Sequence, residues 1–375
     1  MSFFISTFAQ KLIIMRRILF AVLLLASWIT FAQAGEIKEI SVLYPSIDQN
    51  GDSLMLSGKI CVPTKNKAKG IILIPHYTIT SNAQAPSNKP TGEAQFFQDD
   101  YVLVMPDYLG YGHTKHLEHP YLAGELTAHN CVDMLLSLPS ALDTLHLGIS
   151  YDTLYIVGYS QGGASAVWTL KLLEEQYADR FHVVACYAGG GPYDVVAAYD
   201  LALEQKKVFM PIVVPMMVVG TDAAYNLHLD RESFFTPATQ KIYTKYVANK
   251  EYSTSQLFFK FTNHRLSYWM SALAMDPSQP ETKRLYEGFK RSSLVRYPIN
   301  EKVADREIIC PNWIPKAELY IFHSKNDNVV TVRCAEHLHR CLPDLPNITF
   351  DIKNYGSHTQ ASSAFFSRVR KMLKK

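Results

Sequence analysis

The sequence predicts an α/β protein: a mostly parallel, doubly wound sheet with a largely helical lid inserted between two of its strands. Three observations carry this. Short, continuous apolar runs such as Ile71-Ile72-Leu73-Ile74 and Tyr101-Val102-Leu103-Val104-Met105 recur along the chain, and such runs suit parallel strands covered by helices on both faces. Segments with apolar residues at helical spacing lie between them, giving the strand–helix alternation of this fold class. The alternation breaks over residues 195–310, where amphipathic, aromatic-rich pieces take its place.

Taken in order, residues 1–34 read as an export signal. Lys11, Arg16 and Arg17 are the only charges there, Ile18 to Phe31 is almost wholly apolar, and Ala32-Gln33-Ala34 forms a small-x-small cleavage site. The apolar run is shorter than the roughly 20 residues of a membrane-spanning helix. A secreted or periplasmic product is therefore expected, without a stable membrane anchor; Met15 is an alternative start. Without that segment, acidic and basic residues balance, so no electrostatic footprint points to nucleic acid.

Residues 35–194 form the first part of the core. Ile37 to Tyr44 and Leu54 to Val62 alternate as an antiparallel pair around the turn Asp48-Gln49-Asn50-Gly51-Asp52. The runs at 71–74 and 101–105 follow, then Leu154 to Val157 and His182 to Ala185; His182 reads as a packed strand histidine. Leu122 to Leu138 and Ala164 to Tyr177 have helical spacing. Within the lid, 195–310, Thr236-Pro237 reads as a helix start. Residues 311–375 return to the core with strands at Leu319 to Phe322 and Ile348 to Ile352 and helices at Val332 to Leu342 and Ala361 to Leu373.

The six cysteines show no metal-ligand spacing. Cys334 and Cys341 lie on one expected helix, about 10 Å apart at 1.5 Å rise per residue, too far to bridge. Cys310 with either of them is the disulfide to set against six buried thiols.

The sharpest motif is Gly158-Tyr159-Ser160-Gln161-Gly162, a G-x-S-x-G with a strand before it and a helix after it. A serine there sits on a tight turn that tolerates only small neighbours. The following helix aims its first N–H groups at the reaction centre, so the Gln161 N–H is an oxyanion donor. Such a serine needs a base and an orienting carboxylate. Asp327 and His358 follow late strands, at the sheet edge where ligands bind. Asp194 is an alternative acid, Asp351 a structural one, and His323 is expected to shape the acid turn. The second oxyanion donor is expected from the loop Pro75-His76-Tyr77-Thr78, through the backbone N–H of Tyr77 or Thr78.

With these residues assembled, the chain resembles the α/β-hydrolase superfamily, and within it secretory lipases and related bacterial esterases. The resemblance rests on Gly158 to Gly163, on Met105-Pro106-Asp107-Tyr108-Leu109-Gly110-Tyr111-Gly112, on His119-Pro120-Tyr121, on Trp313-Ile314-Pro315, on the Asp327 turn and on Gly356-Ser357-His358. It implies a catalytic triad of Ser160, Asp327 and His358, an insertion after the strand ending near Gly189, no metal and no organic cofactor. It gives Asp107 a loop-holding role. Many relatives carry His-Gly-Thr where this chain has His76-Tyr77-Thr78, so Tyr77 either narrows the acyl side or donates a hydrogen bond from its phenol.

The expected substrate is a small-molecule or lipid-like ester, contacted by Tyr77 and Tyr159. Phe258, Phe259, Phe261, Tyr268 and Trp269 offer an apolar pocket if they are not simply packed in the lid. A serine exopeptidase, an acyltransferase and a non-catalytic binding module remain the competing readings.

Overall fold

A computed structural model of the chain describes residues 37–143, 153–205, 207–295 and 310–374; the expected export signal and cleavage site lie outside these. Eight strands form one sheet: β1 (Ile37–Ile47), β2 (Ser53–Pro63), β3 (Ile71–Leu73), β4 (Val102–Pro106), β5 (Leu154–Tyr159), β6 (Val183–Gly189), β7 (Glu318–Ser324) and β8 (Ile348–Lys353), in the order β1-β2-β4-β3-β5-β6-β7-β8. β1 and β2 pair antiparallel, Ile37 opposite Pro63 and Ile47 opposite Ser53. The Asp48 carboxylate accepts the N–H groups of Asn50 and Asp52 in the hairpin turn, and Gly51 takes φ +82°, a conformation that costs glycine little. β2 also runs antiparallel to β4, and the remaining neighbours are parallel.

The continuous apolar runs are explained by burial on both faces. Ile71, Leu73, Val102, Val104, Leu154 and Ile156 enter one core cluster; Ile72, Ile74, Leu103, Met105, Val157 and Tyr159 enter the other. Successive strand side chains point to opposite faces, so a strand covered on both sides needs apolar residues at every position. Each such side chain contributes about 1.5–3 kcal/mol on burial.

The helices are α1 (Gly124–Asp143), α2 (Gln161–Gln176), α3 (Val195–Glu204), α4 (Val213–Tyr225), α5 (Arg231–Phe234), α6 (Pro237–Tyr243), α7 (Thr254–Phe261), α8 (Leu266–Trp269), α9 (Pro280–Ser292), α10 (Arg333–Cys341) and α11 (His358–Met372). α1 and α2 pack on one sheet face, and α11 brings Phe365 and Val369 to the other. Helices α3 to α9 all lie between β6 and β7 in the chain. Thr236 caps α6, accepting the Thr239 N–H, with Pro237 in the first turn. His182 lies one residue before β6 and is exposed; the sheet edge has ended before its side chain could be covered.

Polar contacts join these helices to the core. Arg231 reaches Asp222 at 2.6 Å and makes a bidentate pair with Glu118 at 2.6 and 2.8 Å. The Lys250 ammonium donates to the carbonyls of Gly110, Lys115 and Leu117. Cys310 and Cys341 form a disulfide that ties the approach to β7 to the end of α10, while Cys61, Cys131, Cys186 and Cys334 are buried thiols. Among the described residues, no helix is long and apolar enough to cross a membrane.

Candidate active site

Ser160 stands between β5 and α2 with φ +59° and ψ −126°. This backbone conformation costs a non-glycine residue about 1–3 kcal/mol and persists only where its surroundings impose it. They do so here. The Ser160 N–H donates to the Gly189 carbonyl at 2.8 Å. A Cβ on Gly158 would lie 2.1 Å from the Gly162 carbonyl oxygen, and one on Gly162 would lie 2.1 Å from the Pro75 oxygen. The turn therefore requires both glycines, and the second contact sets the Pro75–His76 backbone directly against it.

His358 begins α11 just after β8, and Asp327 follows β7. His358 Nε2 lies 2.9 Å from Ser160 Oγ and Nδ1 lies 2.6 Å from Asp327 Oδ2. An Nδ1–H donated to the carboxylate leaves Nε2 as acceptor for the serine O–H. The other carboxylate oxygen accepts the N–H groups of Val329 and Val330 at 2.9 and 2.8 Å. Burial alone would raise the Asp327 pKa. The imidazoles of His358 and His323 and the Val330 N–H outweigh it and hold the carboxyl below the ordinary carboxylate range. The Tyr159 hydroxyl donates to the His358 carbonyl at 2.8 Å, and Asn328 Oδ1 accepts the His358 N–H at 3.2 Å.

The other acids and histidines are committed elsewhere. Asp194 caps α3 through the Ala197 N–H and meets His337 at 2.8 Å. Asp351 accepts from Tyr320, Tyr355 and Arg368. His323 spans the acid turn to the Val330 carbonyl at 3.1 Å, and burial lowers its pKa. Asp107 accepts the Ser57 hydroxyl and the Ser87 N–H, joining two loops.

The Gln161 N–H opens α2 and has no intrahelical acceptor. Of the two expected partners, the Tyr77 N–H is directed instead at Glu93 Oε1, 3.2 Å away. The Thr78 N–H has no acceptor among the described residues, and the Thr78 hydroxyl meets Tyr121 at 2.8 Å. The Tyr77 phenol lies beside Gly92. The sequence patterns assign no role to Glu93 and supply only a motif for a second contact. The Gln161 amide donates to His119 Nε2 at 3.0 Å, and His119 Nδ1–H donates to the Leu109 carbonyl at 2.7 Å. Burial pushes the His119 pKa down to about 3, so its Nε2 stays an acceptor. His119-Pro120-Tyr121 was the only sequence signal for this contact; Glu93 had none.

A cavity of about 440 Å³ opens over Ser160 and His358. Tyr77, Thr78, Tyr159 and Gln161 line it, and Leu201, Val208, Val213 and Met217 supply an apolar wall from α3, α4 and the segment between them. The aromatic residues expected in that role do not line it. Phe261 and Trp269 are buried among the other helices, Phe259 and Tyr268 are exposed, and Phe258 packs on Phe209. An aromatic helix face buries as readily against neighbouring helices as against a ligand. Among the described residues, no cluster of His, Cys, Asp or Glu is placed to hold a metal.

A mixed eight-stranded sheet flanked by helices, with a serine on the turn from β5 to α2, is the α/β-hydrolase fold. The chain resembles lipases and esterases. It is 24% identical over 275 residues to a secreted triacylglycerol lipase of Malassezia restricta, covering 70% of this chain and 51% of that protein; it thus spans about half that lipase's length. The crystal structure of the rice cell wall degrading esterase from Xanthomonas oryzae superposes with a TM-score of 0.70 at 19% identity, covering 90% of this chain and 88% of that one. Candida antarctica lipase A in its closed state gives 0.60 at 15% identity, over 90% and 83%. No protein-family model matches the chain.

Proposed function

We propose that this protein is a secreted serine hydrolase that cleaves carboxylic esters. The observation that carries the reading is the line from Ser160 Oγ through His358 to Asp327, at 2.9 and 2.6 Å, on a strained turn beside an unengaged helix N-terminal N–H. His358, oriented by Asp327, takes the serine proton as Oγ attacks the ester carbonyl. The N–H groups of Gln161 and Thr78 hold the tetrahedral oxyanion; losing one such donor costs about 10²–10³ in turnover. The alcohol leaves with the proton from His358, and water then releases the acid from the acyl-enzyme. Helices α3 to α9 form the lid, and the apolar wall they give the cavity favours a hydrophobic acyl group. The export segment and the secreted lipase relative support secretion.

The test is a panel of p-nitrophenyl esters of increasing chain length beside aminoacyl anilides, with wild type and Ser160→Ala. Ester turnover that disappears in Ser160→Ala is the expected outcome. Preferential cleavage of the anilides, or ester turnover undiminished by the substitution, contradicts the reading. Transfer to an added alcohol in preference to water would move it to an acyltransferase.

A further inference from the structure

Glu93 is 1% exposed, and its carboxyl sits in the wall of the cavity that holds Ser160. One oxygen accepts the Tyr77 N–H at 3.2 Å; the other is buried and has no partner. A carboxylate in such a place requires a cation or a full set of donors; Glu93 has no cation beside it, and apart from the Tyr77 N–H only the Thr91 hydroxyl and its own N–H come near, leaving one oxygen without a hydrogen bond. The titratable groups that face it are the phenols of Tyr77 and Tyr108, both buried and both with pKa pushed further up. His76, stacked on Tyr108 at 4.0 Å, is itself pushed towards its neutral form by burial.

The position of the carboxyl matters because of what it holds. The loop at Pro75–His76 presses against Gly162 of the nucleophile turn, and Tyr77 and Thr78 line the cavity beside Ser160 and Gln161. Glu93 anchors the peptide immediately before the Thr78 N–H. An ionised carboxylate there would also oppose the negative charge that forms on the substrate oxygen.

We propose that Glu93 is a positioning residue that works as the neutral acid: it fixes the Tyr77–Thr78 turn and keeps a negative charge out of the oxyanion wall. This rests on the ester-hydrolase reading above. Burial raises the Glu93 pKa to about 7, against a partial offset from the Thr91 hydroxyl and the backbone N–H groups of Glu93 and Tyr77. The neutral form prevails below that value, and ionisation above it withdraws activity. A triad that needs neutral His358 gains activity with rising pH, so a loss on the alkaline side belongs to a different group.

The experiment is the pH profile of kcat/KM for a p-nitrophenyl ester in wild type and Glu93→Gln, with fluorophosphonate labelling of Ser160 in both. Glutamine keeps an acceptor for the Tyr77 N–H and cannot ionise. With the ionised form inactive, the wild type is expected to lose about fiftyfold between about pH 7 and pH 9. Glu93→Gln, whatever its absolute rate, is expected to show no alkaline loss across that range, with kcat rather than KM carrying the difference in profile. Superimposable profiles overturn the inference while ester turnover and labelling still uphold the wider reading. Absence of turnover and labelling in the wild type overturns both. If Glu93→Gln does not fold, infrared difference titration of the wild type decides the matter: a buried protonated carboxyl lost near pH 7 supports the inference, and carboxyls all ionised well below that pH overturn it.

Discussion

The edge of the sheet and the helical segment between β6 and β7 build the two sides of one cavity by different means. At the sheet edge, each polar side chain has a post fixed by the backbone: Ser160 at the end of β5, Asp327 after β7, His358 after β8. The Val329 and Val330 N–H groups hold the Asp327 carboxylate, and the Tyr159 hydroxyl and Asn328 Oδ1 hold the His358 backbone as donor and acceptor, so these side chains have little choice of position. Across the cavity, Leu201, Val208, Val213 and Met217 contribute only shape, and their helices meet the core through polar links at Arg231, Lys250 and Asp194. On the proposed mechanism, chemistry therefore depends on fixed positions at the sheet edge. Selectivity would depend on volume at the helical wall.

Asp327→Asn should lower kcat by about 10⁴-fold with little effect on stability, because an amide favours the wrong imidazole tautomer; a kcat within tenfold of wild type would show that the carboxylate is not orienting His358. Replacing Cys341 with serine should lower unfolding free energy by about 3–4 kcal/mol for a closed loop of this size, seen in denaturant titration. Its kcat at a temperature where the protein stays folded should be little changed, since the bridge lies away from Ser160. Leu201→Ala should leave short-chain ester turnover nearly intact and shift preference towards bulkier acyl groups by about tenfold, the scale of one or two methylenes in an apolar pocket. An unchanged chain-length profile would remove Leu201 from the acyl wall. Smallest of all, Arg333→Ala breaks a partly exposed pair with Glu204 at 2.8 Å and should cost no more than about 1 kcal/mol, diminishing with salt.

The same contrast governs what could be read from the sequence. The strands were legible because two-sided burial demands apolar residues at every position, and the nucleophile turn was legible because Gly158 and Gly162 have no room for a side chain. Asp327 and His358 were singled out from their places after strands, and the structure sets them within hydrogen-bond reach of each other and of Ser160. The wall of the cavity was not legible: an apolar helix residue has the same appearance whether it faces a ligand or another helix. Phe261 and Trp269 packed inward, whereas the less conspicuous Leu201 and Met217 reached the cavity. Glu93 was equally silent. Its meaning comes from a neighbour 16 residues away, the Tyr77 N–H, which no local pattern reveals. That contact also leaves Thr78, rather than Tyr77, as the free donor in the loop.

On the proposed mechanism, His358 makes Ser160 a nucleophile. Mass-spectrometric mapping of a fluorophosphonate adduct tests it most directly, on wild type, Ser160→Ala and His358→Ala. The account predicts a single adduct on Ser160, absent in Ser160→Ala and formed far more slowly in His358→Ala. An adduct on another residue, or labelling of Ser160 at an undiminished rate without His358, would contradict it.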